Sequence, residues 1–453
     1  MVQMRNLRAM RGRARGDSLS VAVNGIALSA GTMVRLGIGF LTWLVAARLY
    51  STTQVGLAAA AISAMFLCVQ AGMLGVDLAL IALFPYQRPR PDLLLDTAIT
   101  LATLLALLGG LIFVGLSAAG FHSLHVIAAD PIFASLFLVL TLLGSVWWIL
   151  DQASVALRRS DKVLVRAIIA AITCLTGVAA FGVLGWDTAA AILASWVAAS
   201  FVACVLGLFQ LARSVENYRF RLRLADRLVR RLLSVGLPNF ALSLADNAPA
   251  LVLPIIAAEV LAPRAAAFWY VVWMMSAAAY TLAGAFGLNL FAAVVGAPSE
   301  LARLVKEALR IGMALAFAAT VALEVLGPFV LSILGHPYAV NGSTPLRILA
   351  LGAAPSVVGQ VYLGVCRATG RILEGTVVAA ITGVLVVVLG VAAASGFGLT
   401  GIAVLYLSVI VLAAIVTGVR LRVLVRRSRP EAENRPEAES FARWPQAEQV
   451  TAP

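Results

Sequence analysis

The sequence has few charged side chains for its length. Of its 453 residues, only 12% are Asp, Glu, Lys or Arg, whereas a soluble domain carries about 25%. The mean hydropathy is +0.98, which excludes a large water-exposed domain. The chain is therefore better divided into helices of about 20 apolar residues, the length that crosses a bilayer.

Cysteine, histidine and known catalytic motifs are also scarce. The four cysteines fall within or at the edges of apolar stretches, so they indicate no disulfide framework. His122 and His125 have no Cys and no second His pair beside them, which favours a solvated loop over a metal site. Neither GxxxxGK[ST] nor HExxH occurs. We therefore expect neither an enzyme nor a bound metal.

Apolar residues are instead gathered in twelve long stretches. Each can cross a hydrocarbon core of about 30 Å at 1.5 Å per residue, and the runs are continuous rather than alternating, which predicts helices and not strands. The stretches are 21–47, 55–84, 97–116, 131–150, 164–183, 189–211, 232–258, 265–291, 308–334, 346–365, 375–394 and 399–419. The predicted fold is an all-α membrane protein with about twelve transmembrane helices.

Basic residues mark one side of the membrane. Of the 34 Lys and Arg residues, 30 fall in the N-terminal lead, the C-terminal tail and every second loop between them. The other side has only Arg48, Arg264 and Arg347. The positive-inside rule then places both termini in the cytoplasm and supports an even number of helices. This distribution indicates a membrane protein and no nucleic-acid partner, and the Arg and Ala bias favours a bacterial source.

The most basic loop divides the chain into two halves. We predict a cytoplasmic N-terminus (1–20), an N-terminal lobe (21–212), a basic cytoplasmic loop (213–231), a C-terminal lobe (232–420) and a disordered tail (421–453). A shift of 211 residues matches small residues between the halves, and it also places Arg35 on Asp246 and Arg48 on Glu259. Two six-helix halves indicate a parallel repeat, hence two pseudo-symmetric lobes.

The first and seventh stretches each have a small, polar face. Thr32 and Arg35 lie on one, and Asn239, Ser243 and Asp246 on the other. A charge at mid-helix costs about 2.5–3.5 kcal/mol on insertion scales, so it needs a partner or a cavity. Arg35 and Asp246 could form an ion pair that joins two helices. Alternatively, both face a central cavity, where Arg35 attracts an anionic substrate group and Asp246 balances it or binds a coupling cation.

The second stretch has a further polar face, with Ser63, Gln70 and Asp77 at steps of seven. Polar packing between helices would explain it. The alternative is that Gln70 and Asp77 take part in H⁺ or Na⁺ coupling. No other cofactor is expected, and Glu324 receives no predicted role.

Several short motifs together resemble those of the polysaccharide transporter family, which includes the Wzx-type O-antigen flippases. They extend over residues 20–420, and their order and spacing carry the resemblance. Tyr50 departs from the family, which often has Gly there. The motifs are Ala47-Arg48-Leu49 before Val55-Gly56, Gly236-Leu237-Pro238, Leu334-Gly335 with Tyr338, Ile348-Leu349-Ala350-Leu351 and Arg367-Ala368-Thr369-Gly370.

The resemblance implies a member of the multidrug/oligosaccharidyl-lipid/polysaccharide exporter superfamily. It implies two six-helix lobes around a central cavity, and alternating access that moves a polyprenyl-pyrophosphate-linked oligosaccharide to the outer leaflet of the bacterial cytoplasmic membrane. A cationic cavity residue suits pyrophosphate. Polysaccharide polymerase and glycosyltransferases are the implied protein partners. The alternatives are a cation-coupled multidrug antiporter, which Arg35 disfavours, and a membrane scaffold that transports nothing.

The charge asymmetry predicts which loops a membrane-impermeant thiol reagent reaches. Single cysteines at His122 and Gly335 should be labelled in intact cells, whereas cysteines in 213–231 should react only after permeabilisation. A cysteine-free variant is the control. Labelling of the 213–231 loop in intact cells would overturn this topology.

Overall fold

The computed structural model describes residues 37–86, 91–157, 159–215, 218–296 and 298–433, and these residues form helices and connecting turns without strands. The first helix, α1, is described from Gly37 to Leu49. The others are α2 Thr52–Met73, α3 Val76–Leu83, α4 Pro91–Gly120, α5 Val126–Ala129, α6 Pro131–Ala156, α7 Ser160–Val183, α8 Ala189–Ala212, α9 Asp226–Ile256, α10 Pro263–Gly296, α11 Leu301–Leu334, α12 His336–Leu351, α13 Ala353–Ala368 and α14 Ile372–Glu433.

The helices account for all twelve predicted stretches. Among the described residues, nine helices are long and apolar enough to cross a membrane, and α12 with α13 forms a tenth span bent by 44°. Helix α14 contains two of the predicted stretches, since Phe397 and Gly398 leave helical geometry between them. It continues to Glu433 with Leu421 and Leu424 buried, so the start of the tail predicted as disordered (421–453) is helical as far as residue 433. Helix α9 likewise begins at Asp226, inside the predicted loop 213–231. Helix α1 is the end of the first stretch. The predicted all-α membrane fold is confirmed.

Local signals set where several helices begin. At the start of α6, the Asp130 carboxylate accepts a hydrogen bond from the Ile132 amide at 2.9 Å, and Pro131 occupies the first turn. At the start of α8, the Thr188 hydroxyl accepts one from the Ala191 amide at 3.3 Å. Such residues satisfy amides that have no partner within the helix.

The two halves of the chain are built alike. Helix α2 begins at Thr52 and α10 begins at Pro263, a difference equal to the 211-residue shift found in the sequence. Each is a central helix of its half: α2 packs against α4, α6 and α8, and α10 packs against α11, α12 and α13. The halves meet where α2 packs against α9 and α10, and where α3 packs against α9.

The contact between α2 and α10 leaves no room for side chains at its centre. A methyl group on Gly56 would collide with the carbonyl oxygen of Pro263 and would lie 3.2 Å from the Ala267 nitrogen. The next turn of α2 continues with Ala58, Ala59, Ala60 and Ala61, all fully buried. Small residues allow helix backbones in membranes to approach closely.

Two predicted spans are interrupted. Leu74 and Gly75 have φ values of 45° and 79°, which end α2 and begin α3 inside the stretch predicted as one helix. Gly75 also packs against the backbone of Gly236 in α9, where a side chain would not fit. The second interruption is the bend at Gly352 between α12 and α13.

Arg166 is one of the 30 basic residues predicted to lie in the tails and loops, but it does not lie in a loop. It belongs to α7, its side chain is fully buried, and it pairs with Asp151 of α6 at 2.6 Å. Its guanidinium also donates to Gln210 of α8 at 2.7 Å. Lys162, also counted as a loop charge, lies in α7 and donates to Ser214 and to the Gln210 carbonyl. These contacts join α6, α7 and α8.

A substitution at Gly56 tests the contact between α2 and α10. We expect Gly56→Ala to lower the stability of the purified protein by about 1–3 kcal/mol, the usual range for overpacking. Gly115→Ala is the control, because nothing lies within 4 Å of a methyl group built there. Thermal unfolding in detergent should distinguish them. Equal melting temperatures would contradict the close approach.

Candidate functional site

A cavity of about 270 Å³ lies between the two halves. It is bounded by α2, α3 and α6 on one side and by α9 on the other. Its walls combine aromatic, aliphatic and polar side chains. The lining residues are Phe66, Gln70, Met73, Gly75, Asp77, Leu78, Trp148, Phe240, Ser243, Asn247 and Leu251.

Three of the predicted site residues meet in this cavity. The Gln70 amide donates to the carbonyl oxygen of Ser243 at 3.1 Å, which joins α2 to α9 across the cavity. Asp77 lies beyond the break at Gly75, and its carboxylate accepts a hydrogen bond from the Trp148 indole at 3.3 Å. The break therefore turns Asp77 out of the continuous helix and into the same cavity.

The other predicted residues lie elsewhere. Ser63, expected on the face of Gln70 and Asp77, is 2% exposed and does not line the cavity. Asn239 is half-buried and also does not line it. Thr32 and Arg35 lie outside the described residues, so the predicted contact of Arg35 with Asp246 stays a prediction.

Asp246 faces the interior of the C-terminal half. The Gln360 amide of α13 lies 3.4 Å from its carboxylate. Asp246 is also near enough to Arg367 to interact with it electrostatically. Within the described residues, Arg367 has no ion pair and no side-chain hydrogen bond. A carboxylate, an amide and a guanidinium thus share this region.

Aromatic rings continue from this region along the C-terminal half. Trp273 of α10 packs edge-on against Tyr406 of α14 at 5.0 Å, and Tyr280 lies 5.8 Å from both rings. Tyr280 donates a hydrogen bond of 2.6 Å to the Leu349 carbonyl. A methyl group built on Gly284, one turn beyond Tyr280, would meet nothing within 4 Å. The aromatic row therefore ends at open space.

A carboxylate joins the two halves at one end of the bundle, the end where the α4–α5 turn lies. Glu259 lies in a π-helical turn, Ala257–Leu261, between α9 and α10. It accepts three hydrogen bonds from consecutive backbone amides of His122, Ser123 and Leu124, at 2.7, 3.1 and 2.6 Å. Hydrogen bonds to a charged acceptor are among the strong ones.

A second contact at this end mirrors the first. Arg48, at the end of α1, donates to the carbonyl oxygen of Ile333 in α11 at 2.7 Å. Glu259 and Arg48 are 211 residues apart, and so are Ile333 and His122. Each half thus extends one charged side chain to the equivalent turn of the other half. We call these two contacts the paired clasp.

These residues had only a partial signal in the sequence. The match of Arg48 with Glu259 under the shift pointed to related positions, although not to their partners. Nothing in the sequence singled out Trp148 or Gln360. Among the described residues, no group of three or more His, Cys, Asp or Glu side chains could hold a metal ion.

The arrangement suits alternating exposure of an internal site. The cavity is bounded by both halves, the paired clasp and Gly56 close one end, and Gly75 and Gly236 approach each other toward the other end. Separation of the halves at either end would open the cavity to that side.

Comparisons with known proteins agree with this architecture. A family model described as polysaccharide biosynthesis protein matches residues 21–298. A comparison with curated sequences gives no match. Among solved structures, the lipid II flippase MurJ in an inward closed conformation is similar with a TM-score of 0.70 and 13% identity, covering 90% of this chain and 91% of that one.

Two further structures share the fold. An inward-facing multidrug resistance MATE family transporter has a TM-score of 0.65 and 14% identity, over 90% of this chain and 99% of its own. A transporter of the same superfamily from Pyrococcus furiosus has a TM-score of 0.58 and 11% identity, over 90% and 96%. The family model and the fold together show that the chain belongs to the polysaccharide biosynthesis protein family, within the multidrug/oligosaccharidyl-lipid/polysaccharide exporter superfamily of membrane transporters.

Proposed function

We propose that the protein is a flippase that moves a polyprenyl-pyrophosphate-linked oligosaccharide from the cytoplasmic to the outer leaflet of the bacterial cytoplasmic membrane. The observation that carries the proposal is the cavity between two halves in a member of the polysaccharide biosynthesis family. The end with the 213–231 loop is proposed to be cytoplasmic, and the end with the paired clasp to face outward. Polysaccharide polymerase and glycosyltransferases are the proposed partners.

The size of the cavity supports alternating access. Sites for drug-sized ligands occupy about 300–1,000 Å³, so about 270 Å³ is too small for an oligosaccharide head group. We therefore propose that the described form is a closed state and that the halves separate before the head group enters. A separation along the seam between α2 and α9 would leave the polyprenyl tail in the bilayer.

We assign the polar groups of the site three different roles: pyrophosphate binding, sugar binding and ion coupling. Arg35 is proposed to bind the pyrophosphate, with Thr32, Ser243 and Asn239 as polar neighbours. Asp246 and its partner Gln360 suit sugar hydroxyls, because a carboxylate and an amide accept and donate hydrogen bonds. Asp77 and Gln70 are proposed to couple transport to H⁺ or Na⁺ movement.

A cation-coupled multidrug antiporter is the second candidate. The specific observation in its favour is the row of Trp273, Tyr280 and Tyr406 near the Asp246 carboxylate, because aromatic faces attract organic cations. Binding to the purified protein distinguishes the two functions. A flippase should bind polyprenyl-pyrophosphate-linked saccharide and leave ethidium unbound, and the reverse result would favour the antiporter.

Asp77→Asn tests the proposed coupling. The amide retains the shape of the carboxylate but loses its charge, so surface polysaccharide in a transporter-null strain should fall at least about tenfold, which corresponds to about 1.4 kcal/mol. The protein level in the membrane should not change. Asp161→Asn is the control, since Asp161 is exposed and pairs only weakly with Arg159 at 3.7 Å. Loss of the Asp77→Asn protein from the membrane would instead indicate a packing role.

Glu259→Ala tests the paired clasp. The amides of residues 122–124 lose their acceptor, so the closed form loses the stabilisation that these three hydrogen bonds provide. Each 1.4 kcal/mol of lost stability raises the ratio of open to closed molecules about tenfold. A Leu251→Cys reporter in the cavity should therefore react at least about tenfold faster with an impermeant thiol reagent added from the side of His122.

Glu324→Ala is the matched control for that experiment. Glu324 also lies in the C-terminal half and pairs with Arg347 at 3.5 Å, a contact that does not join the halves. Its loss should leave the reaction of Leu251→Cys unchanged. An unchanged rate in Glu259→Ala as well would mean that the clasp does not hold the halves together.

A further inference from the structure

The segment that connects the two halves has an alternating sequence. After Tyr218, arginine and apolar residues alternate from Arg219 to Leu224 in the order RFRLRL. Residues 218–225, which we call the strap, are not helical and lead into α9 at Asp226. In an extended chain, successive side chains point to opposite sides, so such alternation separates the cationic and apolar side chains.

The strap is held to α4 through its backbone and through one buried side chain. The Tyr218 hydroxyl donates to the Asp96 carboxylate at 2.9 Å, and the Arg221 amide donates to the same carboxylate at 3.3 Å. The Arg223 amide lies 3.4 Å from the Thr100 hydroxyl. Burial raises the pKa of Tyr218, so its hydroxyl stays protonated and remains a donor. The strap is therefore a fixed element whose other side chains stay available.

Those side chains are exposed. Leu222 is 79% exposed, Leu224 is 48% exposed and Phe220 is 38% exposed, and Arg219 and Arg221 are exposed as well. Three exposed apolar side chains in six residues are unfavourable in water. They are suited to the boundary between head groups and acyl chains, where basic residues accompany them.

The strap arginines form no ion pairs of the kind that other arginines form, and the Asp96 carboxylate attracts Arg223 only at longer range. Arg303 pairs with Glu300 and Glu307, and Arg371 and Arg420 pair with Glu374. Within the described residues, no carboxylate forms an ion pair with any arginine of the strap or of the first two turns of α9. These arginines are Arg219, Arg221, Arg223, Arg227, Arg230 and Arg231.

We propose that the strap is a binding site for the phosphate head groups of anionic phospholipids in the adjacent leaflet. The arginines bind the phosphates, and Phe220, Leu222 and Leu224 enter the acyl boundary beside them. Charge complementarity and the interleaved apolar residues support this ligand, because an acidic soluble protein would match the arginines but leave the apolar side chains in water. The site is separate from the cavity and does not depend on the cargo that the protein carries.

The test measures which lipid lies next to the strap. Leu222→Cys is labelled with the fluorophore NBD in a variant without native cysteines, and the full chain is reconstituted in phosphatidylcholine vesicles. Spin-labelled phosphatidylglycerol or spin-labelled phosphatidylcholine is then added at equal mole fractions. We expect phosphatidylglycerol to quench more strongly, with a local enrichment of about fivefold or more, the effect of even one arginine near an anionic surface. High salt should reduce the difference.

A second label position and two sets of substitutions make the result specific. A label at Leu184→Cys, which is 67% exposed and lies far from the strap between α7 and α8, should be quenched equally by both lipids. Replacing Arg219, Arg221 and Arg223 together by Gln should bring the Leu222 ratio down to the Leu184 ratio. Arg303→Gln should not change it, because glutamates already neutralise Arg303.

Equal quenching at Leu222 by both lipids would overturn the proposal, as would a preference that survives the triple substitution. An NBD emission typical of water, with little quenching by either lipid, would overturn it too and would point to a protein partner instead. Size-exclusion chromatography shows whether a variant is still folded.

Discussion

The close approach of α2 and α10 is the constraint on which the rest of the structure depends. At Gly56 the two helices are too near for a methyl group, so their relative position at that level is fixed. Ala267, beside Gly56, is also its equivalent under the 211-residue shift, which places this contact on the pseudo-twofold axis between the halves. The paired clasp lies around the axis at the same end. Farther along α2, this helix faces α9 instead, and Gln70, Asp77 and Ser243 line the cavity there.

Within each half, a polar network joins three helices near the end that holds the 213–231 loop. In the N-terminal half, Arg166 connects α6, α7 and α8 through Asp151 and Gln210. In the C-terminal half, Glu374 accepts from Tyr362 of α13 at 2.8 Å and from Arg420 of the second part of α14 at 2.6 Å. Because helices tied in this way resist sliding past one another, a motion between the halves is easier than a motion within either of them.

The sequence predicted the number and order of the spans because apolar length decides which helices cross a bilayer. It did not predict the break at Gly75 or the bend at Gly352, since both interrupt stretches of unbroken hydrophobicity. Gln70, Asp77 and Ser243 were predicted from polar residues in apolar runs, and the structure brings them together. Other contacts depend on how helices distant in sequence pack, which no local pattern encodes. They are the hydrogen bond from Trp148 to Asp77, the burial of Arg166 and the pairing of Asp246 with Gln360.

The paired clasp also bears on the history of the chain. A protein assembled from two identical halves would carry the same residue at positions 48 and 259, and both contacts would use the same chemistry. Here a cation reaches a carbonyl oxygen on one side, and an anion reaches amide hydrogens on the other. Each half has thus become the specific complement of the other, so two copies of either half could not reproduce both contacts. A pair of identical halves would have two contacts of one kind, so the combination of a cationic and an anionic contact requires both halves of this chain.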